Sequence, residues 1–450
     1  MVWIDVPANS GFSYSTIAED DELTDERVVE SVFWFLQGFF RKHPELEGRE
    51  LFIVGESYGG HYVPSVAHYI WKKQGEHLFS PASPESIPIN LRGIGIGNGL
   101  TDPVEVFTHF ADIANNRYNI SFVNDTQQAT MKAAVPECRR LMTICQSNTS
   151  VCDEAGSFCQ RTQLMPLLQA HRNPYDIRQE CATSMSNTSA CMGKFPNVKA
   201  YLDSPDLRAF LGVRPSIGGW IPLNRTINAA FFKAPSYSGY KSVGTKVSDL
   251  LEAGLRVLFY AGDADLLCNI YAIEATVEKL IWSGTADFNA AQERSYSTTS
   301  GVGDAGSIRS HSHLTYVSWD TMSSFPASKY ARYKRATTFF LNWVLNARGR
   351  DTGQKVKLAE VSNVFEKIAA RPSTLTPKLL NTLPKALAAC QCSITLRKHV
   401  SKFFAADDEG QHSHQHFLGL LSIFEMYDQV KKEERTVVEA TVAAKVAMDE

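Results

Sequence analysis

The sequence has neither a long apolar run nor an excess of positive charge. No stretch approaches the roughly 20 apolar residues of a membrane helix, which argues against a membrane span. Lys and Arg number 45 against 48 Asp and Glu, for a net charge of -3. No basic patch stands out, so a nucleic-acid binder is not expected. Residues 1–15 lack the basic and apolar regions of a secretory signal peptide.

Cysteines and glycosylation sequons nevertheless cluster inside the chain. Six of the nine cysteines lie between residues 138 and 191, and this even, local set favours three disulfides formed in an oxidising compartment. A zinc cluster is the alternative, but zinc sites prefer more closely spaced cysteine pairs, and we expect neither a metal nor a cofactor. Cys268, Cys390 and Cys392 are left over. The five sequons begin at Asn119, Asn124, Asn148, Asn187 and Asn224.

The first hundred residues alternate between apolar strands and amphipathic helices. Thr24 is a predicted N-cap, because acidic residues and then a helical apolar pattern follow it. Strand, helix, strand, helix, strand is typical of a doubly wound α/β sheet. The predicted elements are strands at Val2–Val6, Leu51–Val54 and Leu91–Ile96, and helices at Glu26–Arg41 and from the segment after Ser57 to about Lys73.

The pattern changes at about Asp102, where a stretch begins that carries most of the cysteines and all five sequons. This stretch predicts an inserted, helical cap domain. The α/β pattern returns with strands at Arg256–Tyr260 and His313–Trp319 and an amphipathic helix at Tyr330–Leu345. The predicted division is an α/β core in two parts, a cap between them and a helical tail, with boundaries 1–102, 103–240, 241–347 and 348–450.

Gly55-Glu56-Ser57-Tyr58-Gly59 is a G-x-S-x-G motif between a predicted strand and a predicted helix. A nucleophile on such a tight, strained turn needs small neighbours, which the glycines supply. The helix N-terminus then lies under the serine, and the Tyr58 amide can donate to an oxyanion. A glycine-rich turn without chemistry is the alternative, but the strand-to-helix context favours a nucleophile at Ser57.

An acid that partners Ser57 is expected after a later strand, since α/β-hydrolases order their triad as Ser, acid, His. The strand at Arg256–Tyr260 is followed by Asp263 and Asp265. These two carboxylates are the candidates for the acid. The alternative is that both merely lie at the end of a strand.

Four segments, GESYGGHYVP, GNGLTDP, NPYDIRQEC and FYAGDADLLCN, together resemble the serine carboxypeptidase family, which has the α/β-hydrolase fold. DVPANSGFSYS is similar to that family's D-Q-P-x-G-x-G-F-S-Y segment, and ADFNAAQERSY and HLTYVSW align in order. The resemblance covers about residues 1–346. It implies a serine-type peptidase that releases C-terminal residues from peptides with a free C-terminal carboxylate, through an acyl-enzyme. It also implies a lysosomal, vacuolar or secreted protein, and it allows a homodimer.

The same resemblance implies roles for individual residues. Ser57 is implied as the nucleophile, Asp265 as the triad acid and the Tyr58 amide as one oxyanion donor. Glu56, next to Gly55, is implied as a ligand of the substrate carboxylate that acts protonated with a second acid, and two carboxyls in contact suit an acidic optimum. The implied disulfides are Cys138–Cys159, Cys145–Cys152 and Cys181–Cys191.

Three features depart from the family. Its W-x-N-G-G-P-G loop, which supplies the second oxyanion amide, would precede the first matching residue and is absent from the sequence. The catalytic His expected after His313–Trp319 is missing, because Ser323 or Ser324 stands at its position. Leu223 stands where the family has a cysteine whose partner lies in the absent loop.

No other histidine is a good substitute. His311 and His313 precede the last strand and lie roughly 20 Å from its far end. His61, in the helix after the nucleophile, is expected to be structural. The HSHQH run at residues 412–416 fits no recognised zinc spacing, so a solvated polar loop is the better interpretation.

Three hypotheses follow from these patterns. The first is a serine carboxypeptidase with impaired activity, since a serine cannot act as general base at neutral or acidic pH and a lost oxyanion donor costs roughly a hundred- to a thousandfold. The second is a catalytically inactive, peptide-binding relative. The third is a partial gene model that lacks an upstream part and carries a foreign helical tail.

Overall fold

The computed structural model describes residues 2–16, 24–79, 86–181, 195–297 and 304–319. Residues 5–327 form one compact unit. Residues 1–4 group with residues 328–450 in a second unit, of which only residues 2–4 are described. The predicted helix at Tyr330–Leu345 and the predicted tail at 348–450 therefore lie outside the described residues.

The centre of the larger unit is a six-stranded sheet. Its strands are β1 (Leu51–Glu56), β2 (Leu91–Gly97), β5 (Arg256–Gly262), β6 (Arg294–Ser297), β7 (Asp304–His311) and β8 (Leu314–Trp319), in the order β1-β2-β5-β8-β7-β6. The first four in this order are parallel, and β7 and β6 continue the sheet antiparallel. The carboxyl ends of β1, β2, β5 and β8 therefore meet at one edge. The remaining strands, β3 (Arg172–Asn173) and β4 (Asp176–Glu180), form a separate antiparallel pair.

The helices of the described residues are α1 (Asp25–Lys42), α2 (Gly59–Phe79), α3 (Pro103–Thr108), α4 (Asp125–Ser147), α5 (Cys152–Cys159), α6 (Met165–Leu168), α7 (Phe195–Leu202), α8 (Pro205–Phe210), α9 (Arg225–Ala230), α10 (Gly244–Glu252), α11 (Ile270–Glu278) and α12 (Thr285–Ala290). Short 3-10 turns at Pro44–Leu46, Phe110–Asn115, Thr149–Val151 and Ser238–Tyr240 and a π turn at Gln160–Leu164 join several of them. None of these helices is both long and apolar enough to cross a membrane.

The first predicted helix is confirmed as α1. The Thr24 hydroxyl accepts a hydrogen bond from the Arg27 amide at 3.4 Å, so the predicted N-cap is also correct. Val29, Val32 and Leu36 recur at helical spacing and are buried, which fixes the face that packs inward.

The chain between β2 and β5 leaves the sheet and returns to the neighbouring strand position. It contains α3 to α10 and the β3–β4 pair. Its core includes Ile113, Met142 and Leu167, whereas the core against the sheet includes Ile96 and Phe259, all fully or almost fully buried. Burying each such side chain contributes roughly 1.5–3 kcal/mol, so both cores stabilise the unit.

One predicted strand does not form, and two strands of the sheet were not predicted. Val2–Val6 forms no strand: the Phe12 amide and the Ser13 hydroxyl both bind Asp5, which folds this segment back on itself. Strands β6 and β7 were not predicted, because their sequences, RSYS and DAGSIRSH, are polar and lack an apolar alternation. They form by backbone pairing, β7 to β8 and β6 to β7, rather than by burying an apolar face.

Candidate active site

Ser57 lies on a sharp turn between β1 and α2, with a φ of 58° in the left-handed region. Its amide donates to the Gly97 carbonyl at 3.1 Å, and its carbonyl accepts from the amides of Gly60 and Leu100 at 2.9 Å each. Bonds to the helix and to the end of β2 therefore hold a backbone conformation that costs a non-glycine residue about 1–3 kcal/mol. The predicted strand, turn and helix around Ser57 are confirmed.

Two glycines beside Ser57, Gly55 and Gly60, are required by close packing. A Cβ on Gly55 would lie 2.8 Å from Cγ2 of Val63, and a Cβ on Gly60 would lie 2.5 Å from the backbone nitrogen of Leu100. The start of α2 and the turn after β2 consequently pack backbone against backbone. This brings the amide end of α2, with its unsatisfied N–H groups, beneath the serine.

The two acids that follow β5 have different surroundings. Asp263 accepts a hydrogen bond from the Tyr118 hydroxyl at 2.5 Å and pairs with Arg117 at 3.3 Å. Asp265 is 1% exposed, and its Oδ1 accepts from the Cys268 amide at 2.7 Å. Asp263 thus ties β5 to the inserted segment, while Asp265 lies deeper in its own loop.

Asp265 and Cys268 are buried, and Glu56, which interacts with both electrostatically, is partly buried. Burial raises the pKa of Glu56 well above its ordinary value, and the charge of Asp265 raises it further. Burial, Asp265 and Glu56, in that order, raise the pKa of the Cys268 thiol. Asp265 therefore lies near the residue that precedes Ser57, and the raised pKa favours the neutral form of Glu56, in which the carboxyl group can donate a hydrogen bond.

The Tyr58 side chain is anchored by a contact that sequence patterns did not reveal. Its hydroxyl donates to Oδ1 of Asp25 at 3.2 Å, while Oδ2 of Asp25 binds Nδ1 of His61 at 2.9 Å. The Tyr58 and His61 rings stack with centroids 4.7 Å apart. Asp25 was expected only as an acidic residue of the first turn of α1, yet it binds the side chain of Tyr58, whose amide is the expected oxyanion donor. His61 is fully buried in this contact.

The loop after β5, residues 263–268, contains Asp263 and Asp265 and is called the acid loop. The end of β8 lies beside the start of this loop, since the Asp263 amide donates to the Trp319 carbonyl at 3.2 Å. Ser323 and Ser324, which follow, lie outside the described residues. His313 lies at the opposite edge of the sheet, where its carbonyl accepts from the Val257 amide at the start of β5. The length of β5, roughly 20 Å, separates His313 from the turn at Ser57 between β1 and α2, which we call the elbow. His313 therefore does not lie where the family's histidine is expected.

Two of the three implied disulfides of the inserted segment are present in the described residues. Cys138 bonds to Cys159, and Cys145 bonds to Cys152, which nests the shorter loop inside the longer one. Cys181 is also in a disulfide, but its predicted partner Cys191 lies outside the described residues. Cys268 is a free, buried thiol.

The sequon asparagines differ in exposure. Asn119, Asn124 and Asn148 are exposed. Asn224 is half-buried, caps α9 and donates to the Asn9 carbonyl at 3.1 Å. Asn187 lies outside the described residues.

A serine on a strand-to-helix elbow, with an acid loop two strands further along the same sheet edge, defines an α/β-hydrolase. A family model described as serine carboxypeptidase matches residues 1–344. The chain belongs to the serine carboxypeptidase family.

Individual relatives agree with this assignment. Carboxypeptidase Y of Candida albicans is 32% identical over 320 residues, which cover 70% of this chain and 55% of that protein. Serine carboxypeptidase 3 of Oryza sativa subsp. japonica is 30% identical over 70% of this chain and 59% of its own length. The chain thus spans somewhat more than half the length of these relatives.

A solved structure has the same fold. It is that of KEX1(DELTA)P, a prohormone-processing carboxypeptidase from Saccharomyces cerevisiae. The TM-score is 0.57 at 22% identity, with 71% of this chain and 69% of the other covered.

Proposed function

We propose that this chain is a serine-type carboxypeptidase, with Ser57 as nucleophile and Asp265 as triad acid, whose rate is low because the usual histidine is missing. The observation that carries the proposal is the position of Ser57: a left-handed elbow at the same sheet edge as the buried Asp265. Membership of the family supports the reaction class.

The substrate is a peptide with a free C-terminal carboxylate. Neutral Glu56, beside Gly55, donates a hydrogen bond to that carboxylate, and the Tyr58 amide stabilises the oxyanion. The Ser57 oxygen forms an ester with the carbonyl carbon of the last peptide bond, the C–N bond breaks, the proton lost by Ser57 is balanced by one gained at the leaving nitrogen, and the C-terminal amino acid leaves. Water then hydrolyses the ester and regenerates Ser57.

Proton removal from Ser57 is the weak point of this reaction. The sequence has no histidine between His313 and His399, and a positioned general base contributes roughly a hundred- to ten-thousandfold. Turnover is therefore slow, and the ordinary family rate is not expected.

Release of the terminal amino acid from an N-acylated dipeptide tests the proposal. The matched substrate is the same dipeptide with an amidated C-terminus. We expect slow release from the free acid, little from the amide, and none when Ser57→Ala replaces the nucleophile. Release that persists in Ser57→Ala, or that does not distinguish acid from amide, contradicts the proposal.

A peptide-binding relative without catalysis is the second candidate, favoured by the serines at the histidine position. Such a protein binds the free-acid dipeptide, as measured by calorimetry. It shows no release of the terminal amino acid that depends on Ser57. Binding without release supports this candidate against the first.

The domain organisation and the cellular location are also proposals. Helices α3 to α9 lie within 103–240, between neighbouring strands of the sheet, which supports a cap on a core formed by 1–102 and 241–347. The tail at 348–450 lies outside the described residues and stays a prediction. The nested disulfides and the three exposed sequons support an oxidising route, to a lysosome or vacuole or out of the cell.

A further inference from the structure

The turn after β2 binds the acid loop through one side chain, that of Asn98. Its Nδ2 donates to the carbonyls of Gly262 and Cys268 at 3.2 and 3.0 Å, and its Oδ1 accepts from the Gly262 amide at 2.9 Å. Gly262 ends β5, and Cys268 closes the loop that contains Asp265. One amide group thus holds both ends of the acid loop.

The same turn also binds the elbow. Gly97 and Leu100 provide the backbone bonds to Ser57, and the Thr101 hydroxyl donates to the Gly60 carbonyl at 3.2 Å. Pro64, four residues further along α2, has no N–H to offer this carbonyl, so Thr101 supplies the missing donor. The turn at 97–101 therefore lies between nucleophile and acid and is bonded to both.

The burial, the hydrogen bonds and the backbone conformation of Asn98 all suit this position. It is 2% exposed, and all three side-chain hydrogen bonds go to backbone groups of the acid loop. Its φ is 34°, a conformation that asparagine tolerates better than most residues. An aliphatic side chain here would leave the Gly262 and Cys268 groups buried without these partners.

We propose that Asn98 is a positioning residue that fixes the Asp265 loop relative to Ser57. The inference rests on the proposed roles of Ser57 and Asp265, but the bonds it invokes can be tested without catalysis. The Asn98 side chain bonds to the backbone of Gly262 and Cys268, so it acts through the loop it holds.

Two variants separate the side chain from the backbone. Asn98→Gly keeps the positive φ and removes all three bonds. Asn98→Asp keeps an acceptor for the Gly262 amide but sets carboxylate oxygen against two carbonyls, a repulsion that protonation at low pH relieves. Gln37→Ala is the matched control, because the buried Gln37 amide makes two similar bonds to the backbone of Ile87, far from the elbow in sequence.

Hydrogen exchange of the Cys268 amide is the direct test. This amide binds Asp265, not Asn98, so it reports loop position rather than the deleted bonds. We expect Asn98→Gly to raise its exchange rate about tenfold or more, Asn98→Asp to do so with recovery toward wild type at acidic pH, and Gln37→Ala to leave it unchanged. No change in Asn98→Gly, or an equal change in Gln37→Ala, overturns the proposal.

The rate at which a fluorophosphonate modifies Ser57 gives the catalytic readout. We expect Asn98→Gly to lower the rate at saturating probe while the half-saturating concentration stays the same, and Gln37→Ala to alter neither. If the wild-type chain does not react, the proposed function fails and amide exchange alone decides the role of Asn98. If the wild type reacts and both Asn98→Gly and Gln37→Ala react at the wild-type rate, the positioning role is overturned.

Discussion

The Asp265 carboxylate raises the pKa of Glu56, the residue immediately before the candidate nucleophile, beyond the rise that burial alone produces. Two acids that lie far apart in sequence therefore act on each other at the carboxyl ends of β1 and β5. Their relation links the elbow to the acid loop electrostatically, and it makes the site sensitive to pH.

Glu56→Gln should flatten the dependence of stability on pH. In the unfolded chain Glu56 loses its proton near its ordinary pKa of 4.5, whereas the folded chain keeps it to higher pH. The unfolded state then binds fewer protons, so wild-type stability falls as pH rises from about 4.5 to the raised pKa. Gln has no proton to lose, and thermal melts from pH 4 to 8 should show the variant gaining relative to wild type as pH rises.

Glu56→Gln also separates the effect of Glu56 on pH-dependent stability from its role in substrate binding. Gln keeps an N–H donor where neutral Glu56 has its O–H, so Glu56→Gln should still bind a free-acid dipeptide, and Glu56→Ala should not. An equal loss of dipeptide affinity in both variants would contradict the role of neutral Glu56 as a hydrogen-bond donor. A stability profile of Glu56→Gln that runs parallel to wild type across the pH range would contradict the raised pKa of Glu56.

Gly60→Ala should destabilise the protein, and Gly59→Ala should not. The new Cβ at position 60 meets the Leu100 backbone at 2.5 Å, whereas a Cβ at position 59 would lie 4.0 Å from Cγ2 of Val63, an ordinary van der Waals contact. We expect Gly60→Ala to lose about 1–3 kcal/mol, the usual cost of overpacking, in urea unfolding. Equal midpoints for the two variants would contradict the close packing of the elbow against the turn after β2.

The local parts of the site could be predicted from sequence, and the long-range parts could not. Ser57 was found because a strand, a G-x-S-x-G run and a helix are consecutive. Asp265 needed the resemblance, since Asp263 is closer to the end of β5, and only the structure shows Asp263 engaged by Tyr118. The contacts of Asp25 with Tyr58 and of Asn98 with Cys268 join distant segments, and no periodic pattern encodes them.

Fold prediction has the same limit. The parallel strands were found because they are largely apolar runs, of which β2, β5 and β8 are mostly buried. Strands β6 and β7 are polar and depend on backbone pairing, β7 with β8 and β6 with β7. Val2–Val6 looked like a strand because it is apolar, but its backbone goes into the turn around Asp5 instead.

Removing the outer disulfide of the inserted segment should cost more stability than removing the inner one. Cys138 and Cys159 are 21 residues apart, and Cys145 and Cys152 are 7 apart, so the outer bond restricts the unfolded chain more. The double variant Cys138→Ala/Cys159→Ala should lose about 3 kcal/mol, and Cys145→Ala/Cys152→Ala somewhat less. Denaturant unfolding of both under non-reducing conditions checks the order, and the reverse order would contradict this account.

The measurement that tests the central claim most directly is the rate of fluorophosphonate modification at Ser57, located by peptide mass spectrometry. Wild type, Ser57→Ala, Ser323→His and Ser324→His are compared, with melting temperatures to confirm folding. The account predicts slow modification of wild type at Ser57 alone, none in Ser57→Ala, and a rise of about a hundredfold in one histidine variant. Modification at another residue, or a wild-type rate that neither histidine variant raises, would contradict it.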